Sequence, residues 1–270
     1  MSETSPDMLP ASTLLLLRDR GGLEVLMVKR HPEIDFAAGA MVFPGGKVTA
    51  DDRSSAWDKM FIGDATGKQR SFQIAAIREC FEETGVLLAV QADGQPVPIK
   101  TVESLTPLRG PVDRGEVAFS DVIKREQLKL YGGALIEFGN WLTPEFMPKR
   151  FDTFFYLAQM PEAQVATHDG RETVDIQWYR PLEAIEAAER EEATIIFPTR
   201  MNLGRLGLAS SCHEALERFS TDLAPLIEPV IDRSESDGPC LVIPDVEGYP
   251  QTREPIERVS GVARPNSKTS

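Results

Sequence analysis

Glu79, Glu82 and Glu83 fall three and four positions apart in the string Arg78-Glu79-Cys80-Phe81-Glu82-Glu83-Thr84-Gly85-Val86. On a helix these spacings put the three carboxylates on one face. Like charges so placed repel and weaken a helix in water, so the arrangement makes chemical sense when a divalent cation sits among the oxygens. Oxygen ligands suit magnesium or manganese. A cation held there would neutralise phosphate oxygens and lower the pKa of an attacking water, the two needs of pyrophosphate hydrolysis. An exposed acidic helix is the competing reading of the carboxylates taken alone. Upstream stands Val42-Phe43-Pro44-Gly45-Gly46-Lys47, whose paired glycines permit a tight loop with backbone close to a ligand or metal.

The order of the two segments weighs against the competing reading. The later string resembles the second half of the Nudix box, Arg-Glu-apolar-x-Glu-Glu-x-Gly-apolar, with every fixed position filled, and Phe43-Pro44-Gly45-Gly46-Lys47 resembles its opening strand and loop. The resemblance implies an α/β sandwich with a mixed sheet and a metal-dependent pyrophosphohydrolase. It implies Glu79, Glu82 and Glu83 as metal ligands, with Glu82 and Glu83 in the catalytic set, and a backbone carbonyl, that of Gly45, as a further ligand. Arg78 becomes the residue that ion-pairs with and orients a motif carboxylate. Many members of the family also draw a Glu from a loop about six residues before a Trp in a late strand. Glu172 stands there relative to Trp178, after the polar loop Thr167-His168-Asp169-Gly170-Arg171, as a ligand or general base. His168 reads as a solvent-exposed loop residue.

The box is split. Gly46 precedes Arg78 by 32 positions, where the usual box has about 14, so an insertion occupies about residues 48–70. The Glu that braces the loop in the usual box is Arg70 here, and Asp51, Asp52, Asp58 and Asp64 are the candidates to replace it. Trp57, Met60, Phe61 and Ile62 predict that the insertion packs as a small element near the rim of the site rather than hanging free. With Arg150-Phe151-Asp152-Thr153-Phe154-Phe155 downstream, the pattern is similar to the branch that includes the peroxisomal coenzyme A diphosphatase of animals and its bacterial relatives. That similarity makes coenzyme A or an acyl-coenzyme A the leading substrate. Hydrolysis of ADP-ribose or a dinucleotide, or a Nudix-fold module that binds ligand without turnover, are the alternatives. Arg150 either contacts a substrate phosphate or pairs with Asp152 along the same strand face, the simpler option.

The elements that must position these residues follow from pattern. Ser12 to Leu17 and Leu23 to Lys29 flank Asp19-Arg20-Gly21-Gly22 as a hairpin, and Met41 to Phe43 is a short third strand. The motif helix runs from about Ser71 to Thr84, with Phe72, Ala75, Ala76, Cys80 and Phe81 inward, the carboxylates largely away from the core, and Gly85 as a stop. Residues 92–115, rich in Pro and Gly, predict a surface loop, and 120–130 a helix. Strands are expected over 141–144, 151–158 and 174–179, and a helix enters through Pro181. The division expected is a flexible 1–10, one hydrolase domain over 11–232 and a partly disordered tail over 233–270. Leu241-Val242-Ile243 in that tail reads as an edge strand, paired within the chain or across a homodimer.

Composition narrows the partners. The 270 residues are 41% hydrophobic, enough for a large core. A formal net charge of −13 disfavours a nucleic-acid polymer, which needs many cationic contacts, and leaves a small diphosphate that a few local cations such as Lys29, Arg30 and Lys47 can meet. The run Leu14 to Leu17 is too short for a membrane span or signal segment. Cys80, Cys212 and Cys240 are too far apart for a disulfide framework, so a reducing cytoplasm is the compartment expected.

Overall fold

The computed structural model describes residues 8–33, 37–234, 238–244, 246 and 248–259. In chain order they form β1 (Leu9–Asp19), β2 (Leu23–Arg30), β3 (Met41–Val42), β4 (Gly45–Lys47), β5 (Phe61–Ile62), α1 (Gly67–Thr84), β6 (Ala89–Gln91), α2 (Ile99–Leu105), α3 (Arg109–Asp113), α4 (Phe119–Arg125) and β7 (Leu128–Tyr131). There follow β8 (Ile136–Leu142), β9 (Phe151–Gln159), β10 (Thr173–Tyr179), α5 (Pro181–Glu189), α6 (Phe197–Leu206), α7 (Cys212–Thr221), β11 (Leu226–Ile227), β12 (Val230–Asp232), β13 (Cys240–Val242) and β14 (Arg253–Pro255).

The leucine run is the centre of the molecule. An eight-stranded sheet is ordered β10-β2-β1-β9-β8-β11, with β3 on β2 and β4 on β1. It is mixed, because β1 runs parallel to β9 and β8 to β11 while the other pairs are antiparallel. A central strand covered on both faces needs apolar residues in both alternating sets. Leu14 and Leu16 accordingly pack with α1, and Leu15 and Leu17 with the layer containing α6 and α7. This is the α/β sandwich expected. Among the described residues no helix is long and apolar enough to cross a membrane.

The insertion packs. Two short 3-10 turns, Asp51–Arg53 and Ser55–Lys59, precede β5, which pairs with β7 in a small sheet of its own. Trp57 is fully buried, and its indole N–H donates to the Asp51 carbonyl at 2.8 Å.

Three expectations need correction. The segment read as a surface loop carries α2 and α3, whose Val102, Leu105 and Val112 are buried. The helix expected over 120–130 stops at Arg125, because Leu128 to Tyr131 pairs with β6 instead. The strand expected at an edge is a middle one: β13 pairs within the chain, between β12 and β14, and Leu241, Ile243, Tyr249 and Val259 join the second core. The within-chain option for the Leu241-Val242-Ile243 strand is therefore the one found, but as a middle strand rather than an edge, because residues on either side reach the second core. At the other end β1 already begins at Leu9, inside the expected flexible stretch, whereas residues 1–7 and 260–270 lie outside the described residues.

Candidate active site

The motif helix α1 crosses the face of the sheet, pinned to β1 by the Ser12 hydroxyl, which donates to the Phe72 carbonyl at 2.7 Å. Gly85, at φ 74°, stops it in the left-handed conformation that glycine adopts without strain. From Ser71 to Thr84 every residue is buried, so the carboxylates do not point to open solvent. Loops cover the side of the helix that faces away from the sheet, and Glu79, Glu82 and Glu83 are 8%, 6% and 2% exposed.

The glycine loop meets this helix directly. Leu14 N–H donates to the Pro44 carbonyl and Val48 N–H to the Pro10 carbonyl, so the alternating antiparallel ladder leaves the backbone groups of Gly45 and Lys47 turned away from β1, toward α1. The Gly45 N–H donates to Glu83 Oε2 at 3.1 Å, and the Lys47 carbonyl accepts from Arg78 Nη2 at 2.7 Å. A Cβ on Gly46 would lie 2.5 Å from Glu79 Oε1, and one on Gly45 would lie 2.5 Å from the Ser12 carbonyl oxygen. Close approach, rather than positive φ, requires both glycines.

Arg78 is the hub of the buried charges. Its Nη1 donates to Glu79 Oε1 at 2.9 Å and to Glu82 Oε2 at 2.9 Å, and Nε and Nη2 grip the two oxygens of Asp52 at 2.9 and 3.0 Å. Of the four aspartates in the insertion, Asp52 is therefore the one against the motif arginine. Asp58 pairs with Arg70, and Asp51 caps the start of α4 through Ser120. Burial would lower the Arg78 pKa, yet Glu79, Glu82 and Asp52 together hold it well above its ordinary value. The acids respond oppositely. Burial, then repulsion from Glu79, pushes Glu82 up to about 8, and burial likewise raises Glu79 and Glu83.

The donor chemistry of this cluster fits a divalent cation. Glu83 Oε1 is buried with no hydrogen-bond partner among the described residues, and an uncompensated buried carboxylate oxygen is costly without a counter-charge. No three acidic, histidine or cysteine groups converge into a closed ligand set among the described residues, and the Arg78 guanidinium binds both Glu79 and Glu82.

Glu172 reaches the same place from the far side. A small cavity is lined by Glu82, Glu83, Arg109, Asp113, Asp169 and Glu172. The loop that carries Glu172 is built around Asp169, which accepts from the N–H groups of Arg171, Glu172 and Thr173 and from the Thr173 hydroxyl. Burial and the charge of Asp113 raise the Glu172 pKa, and Arg30 counters them. Arg30 thus lies within electrostatic reach of both Glu172 and Glu83.

Sequence reasoning missed Arg109 and Asp113, because both lie on α3 in the segment read as loop. It also expected Arg150 to pair with Asp152. Arg150 instead donates to the Thr143 carbonyl and to Glu228, while Asp152 pairs with Lys68 on the first turn of α1. Arg150 precedes β9 and turns toward the chain leaving β11, whereas Asp152 points toward α1.

Comparison with known proteins bears on the family and the fold. The family model described as the NUDT19 Nudix domain matches residues 62–206. The acyl-coenzyme A diphosphatase NUDT19 of Xenopus laevis is 28% identical over 84% of this chain and 72% of that protein, and that of Gallus gallus is 29% identical over 84% and 73%. A crystal structure of a NUDIX hydrolase from Alicyclobacillus acidocaldarius superposes with a TM-score of 0.69 at 24% identity, covering 80% of this chain and 99% of that one. This last likeness is one of fold.

Proposed function

The chain belongs to the Nudix hydrolases, in the branch of the NUDT19 Nudix domain, and from that premise we propose that it cleaves the pyrophosphate of coenzyme A or an acyl-coenzyme A. As a member of that family it is a pyrophosphohydrolase, and such enzymes generally work with a divalent metal. The observation that carries the proposal is the buried trio Glu79, Glu82 and Glu83, of which Glu82 and Glu83 face Glu172 across one cavity, with Glu83 Oε1 unpartnered among the described residues. The relatives named acyl-coenzyme A diphosphatase supply the substrate class.

Glu79, Glu82, Glu83 and the Gly45 carbonyl would hold magnesium or manganese. When bound, the ion neutralises pyrophosphate oxygens and makes a water more acidic. The remaining work falls to the chain. Arg78 holds Glu79 and Glu82 in place through its grip on Asp52, so a flexible pair of acids is presented in one arrangement. Glu172 takes the proton of the attacking water on its carboxylate, which its raised pKa favours. Arg30 supplies positive charge beside Glu83 for an anionic substrate. Water oxygen bonds to one phosphorus as the bridging P–O bond breaks, giving 4′-phosphopantetheine or its acyl form and adenosine 3′,5′-bisphosphate. Three unbridged cysteines suit a reducing cytoplasm.

The test is kcat/KM with magnesium across coenzyme A, an acyl-coenzyme A, ADP-ribose and NADH. Coenzyme A compounds are expected to lead. A clear preference for ADP-ribose or NADH overturns the substrate and leaves the family intact.

A further inference from the structure

We infer that Arg109 is a positioning residue that fixes Glu172 against the carboxylates of α1. The inference rests on the reading of Glu172 as the proton acceptor.

The argument begins with the end of α1. The last carbonyls of a helix have no partner within it and must find one elsewhere. Here three consecutive ones are taken by the far side of the cavity. The Glu82 carbonyl accepts from Arg109 Nε at 2.9 Å, the Glu83 carbonyl from the Thr173 hydroxyl at 3.3 Å, and the Thr84 carbonyl from the Thr167 N–H at 2.8 Å. Thr167 and Thr173 bracket the loop that carries Glu172. The backbones of two metal-facing glutamates, Glu82 and Glu83, are thereby fastened to that loop.

Arg109 closes this join. Besides the Glu82 carbonyl it donates to the Thr167 carbonyl from Nη2 at 2.8 Å and to the Thr167 hydroxyl from Nη1 at 3.2 Å. One rigid, planar guanidinium spans the helix end and the first residue of the loop, which a flexible ammonium cannot do. The side chain is 5% exposed, and all its hydrogen-bond partners are neutral oxygens rather than a carboxylate. An arginine buried in this way is a poor means of adding stability, since its desolvation offsets most of the gain. It is a good means of fixing a distance. The same short helix repeats the tie at its other end, where Asp113 accepts from Arg171 at 2.6 Å, one residue before Glu172. Misplacement of a reacting group by about 1 Å costs roughly 10²-fold in rate.

The experiment is a double-mutant cycle in the full chain, with magnesium and whichever diphosphate it turns over fastest. Arg109→Lys is expected to lower kcat about 10- to 100-fold with KM within about twofold. On a Glu172→Gln background the same change should cost less than about twofold, because the group it positions is already disabled. Losses that multiply, a KM that moves in step with kcat, or an unchanged kcat in Arg109→Lys would each overturn the inference. Thr167→Val, which deletes only the hydroxyl, gives a second cycle should Arg109→Lys fold poorly. It should cost a few-fold in kcat, again only while Glu172 is present, and a loss that persists in Glu172→Gln counts against positioning. If Glu172→Gln alone turns over like the wild type, the proton-acceptor reading falls and this inference with it. If Glu172→Gln is impaired and the losses multiply, this inference alone falls.

Discussion

On the α1 face of the central sheet, Asp52, Glu79, Glu82 and Glu83 are buried around one arginine, Arg78, and Glu83 Oε1 has no partner among the described residues. On the opposite face a buried arginine, Arg205, lies 4.8, 5.0 and 5.2 Å from the ring centres of Phe138, Phe219 and Tyr249 and donates to the Phe138 carbonyl at 2.7 Å. Both faces bury charge, but the second sets Arg205 against aromatic rings and pairs Arg200 with Glu254 at 3.5 Å, so no carboxylates crowd together there among the described residues. Aromatic faces attract a cation without a desolvated counter-ion, whereas clustered carboxylates repel one another and hold an excess of negative charge ready for a ligand. The two faces teach a division of labour: one pairs its buried charge, the other keeps an excess of negative charge that the proposed ion would relieve.

The sharpest way to break that division is Glu83→Gln. Removing one ligand of the proposed ion should lower turnover by about 10²-fold or more. With chelator present, the melting temperature should be unchanged or raised, since an amide removes one repelling charge from the cluster. Steady-state kinetics and a thermal melt check both halves. Wild-type turnover would take Glu83 out of the metal site, and a large loss of stability would mean that this face is built for stability after all.

Phe219→Ala is the complementary change. Phe219 is 2% exposed and meets Phe138 edge to face at 4.8 Å. Its truncation should cost about 3–5 kcal/mol in denaturant unfolding, while kcat of the folded protein stays within about twofold. A kcat that collapsed under conditions where circular dichroism shows a native fold would join the two faces that the comparison separates.

How much of this could be read from the residues alone differs between the same regions. The α1 string carries its own evidence, because the spacing of Glu79, Glu82 and Glu83, the apolar residues between them and the stop at Gly85 are all local. Their burial was not legible, since nothing in the helix tells that residues 45–52 and the short helix α3 will cover its acidic side. Arg109 bonds to groups 27 and 58 positions away, so no window around it contains its partners. Its helix is five residues long and contains Gly110 and Pro111, a composition that reads as loop. Asp52 could be named among four aspartates but not chosen, because the choice is made by how Trp57 packs the insertion. The leucines of β1 marked a strand but not its coverage on both faces, and Leu241-Val242-Ile243 marked a strand but not its place between β12 and β14, because those contacts are made with residues far along the chain.

The last effect expected is one of pH, and it separates the faces by charge alone. Glu82 has a folded pKa of about 8 against an ordinary value of 4.5, through burial and the repulsion of Glu79. Between these values the folded chain holds a proton that the unfolded chain has released, so stability falls as pH rises through the window. Below about 4.5 the contribution is fully present, and above about 8 it is lost. Glu79 and Glu83 are shifted in the same direction and steepen the slope. Melting temperatures measured in chelator from pH 5 to pH 8.5 should therefore decline, and saturating magnesium should flatten the decline, because the ion then supplies the positive charge that a proton supplies otherwise. The gain on adding magnesium should accordingly grow with pH. In Glu83→Gln the slope should be shallower, and in Phe219→Ala it should match the wild type at a lower temperature throughout. An equal slope with and without magnesium would show that the ion binds elsewhere than among these carboxylates.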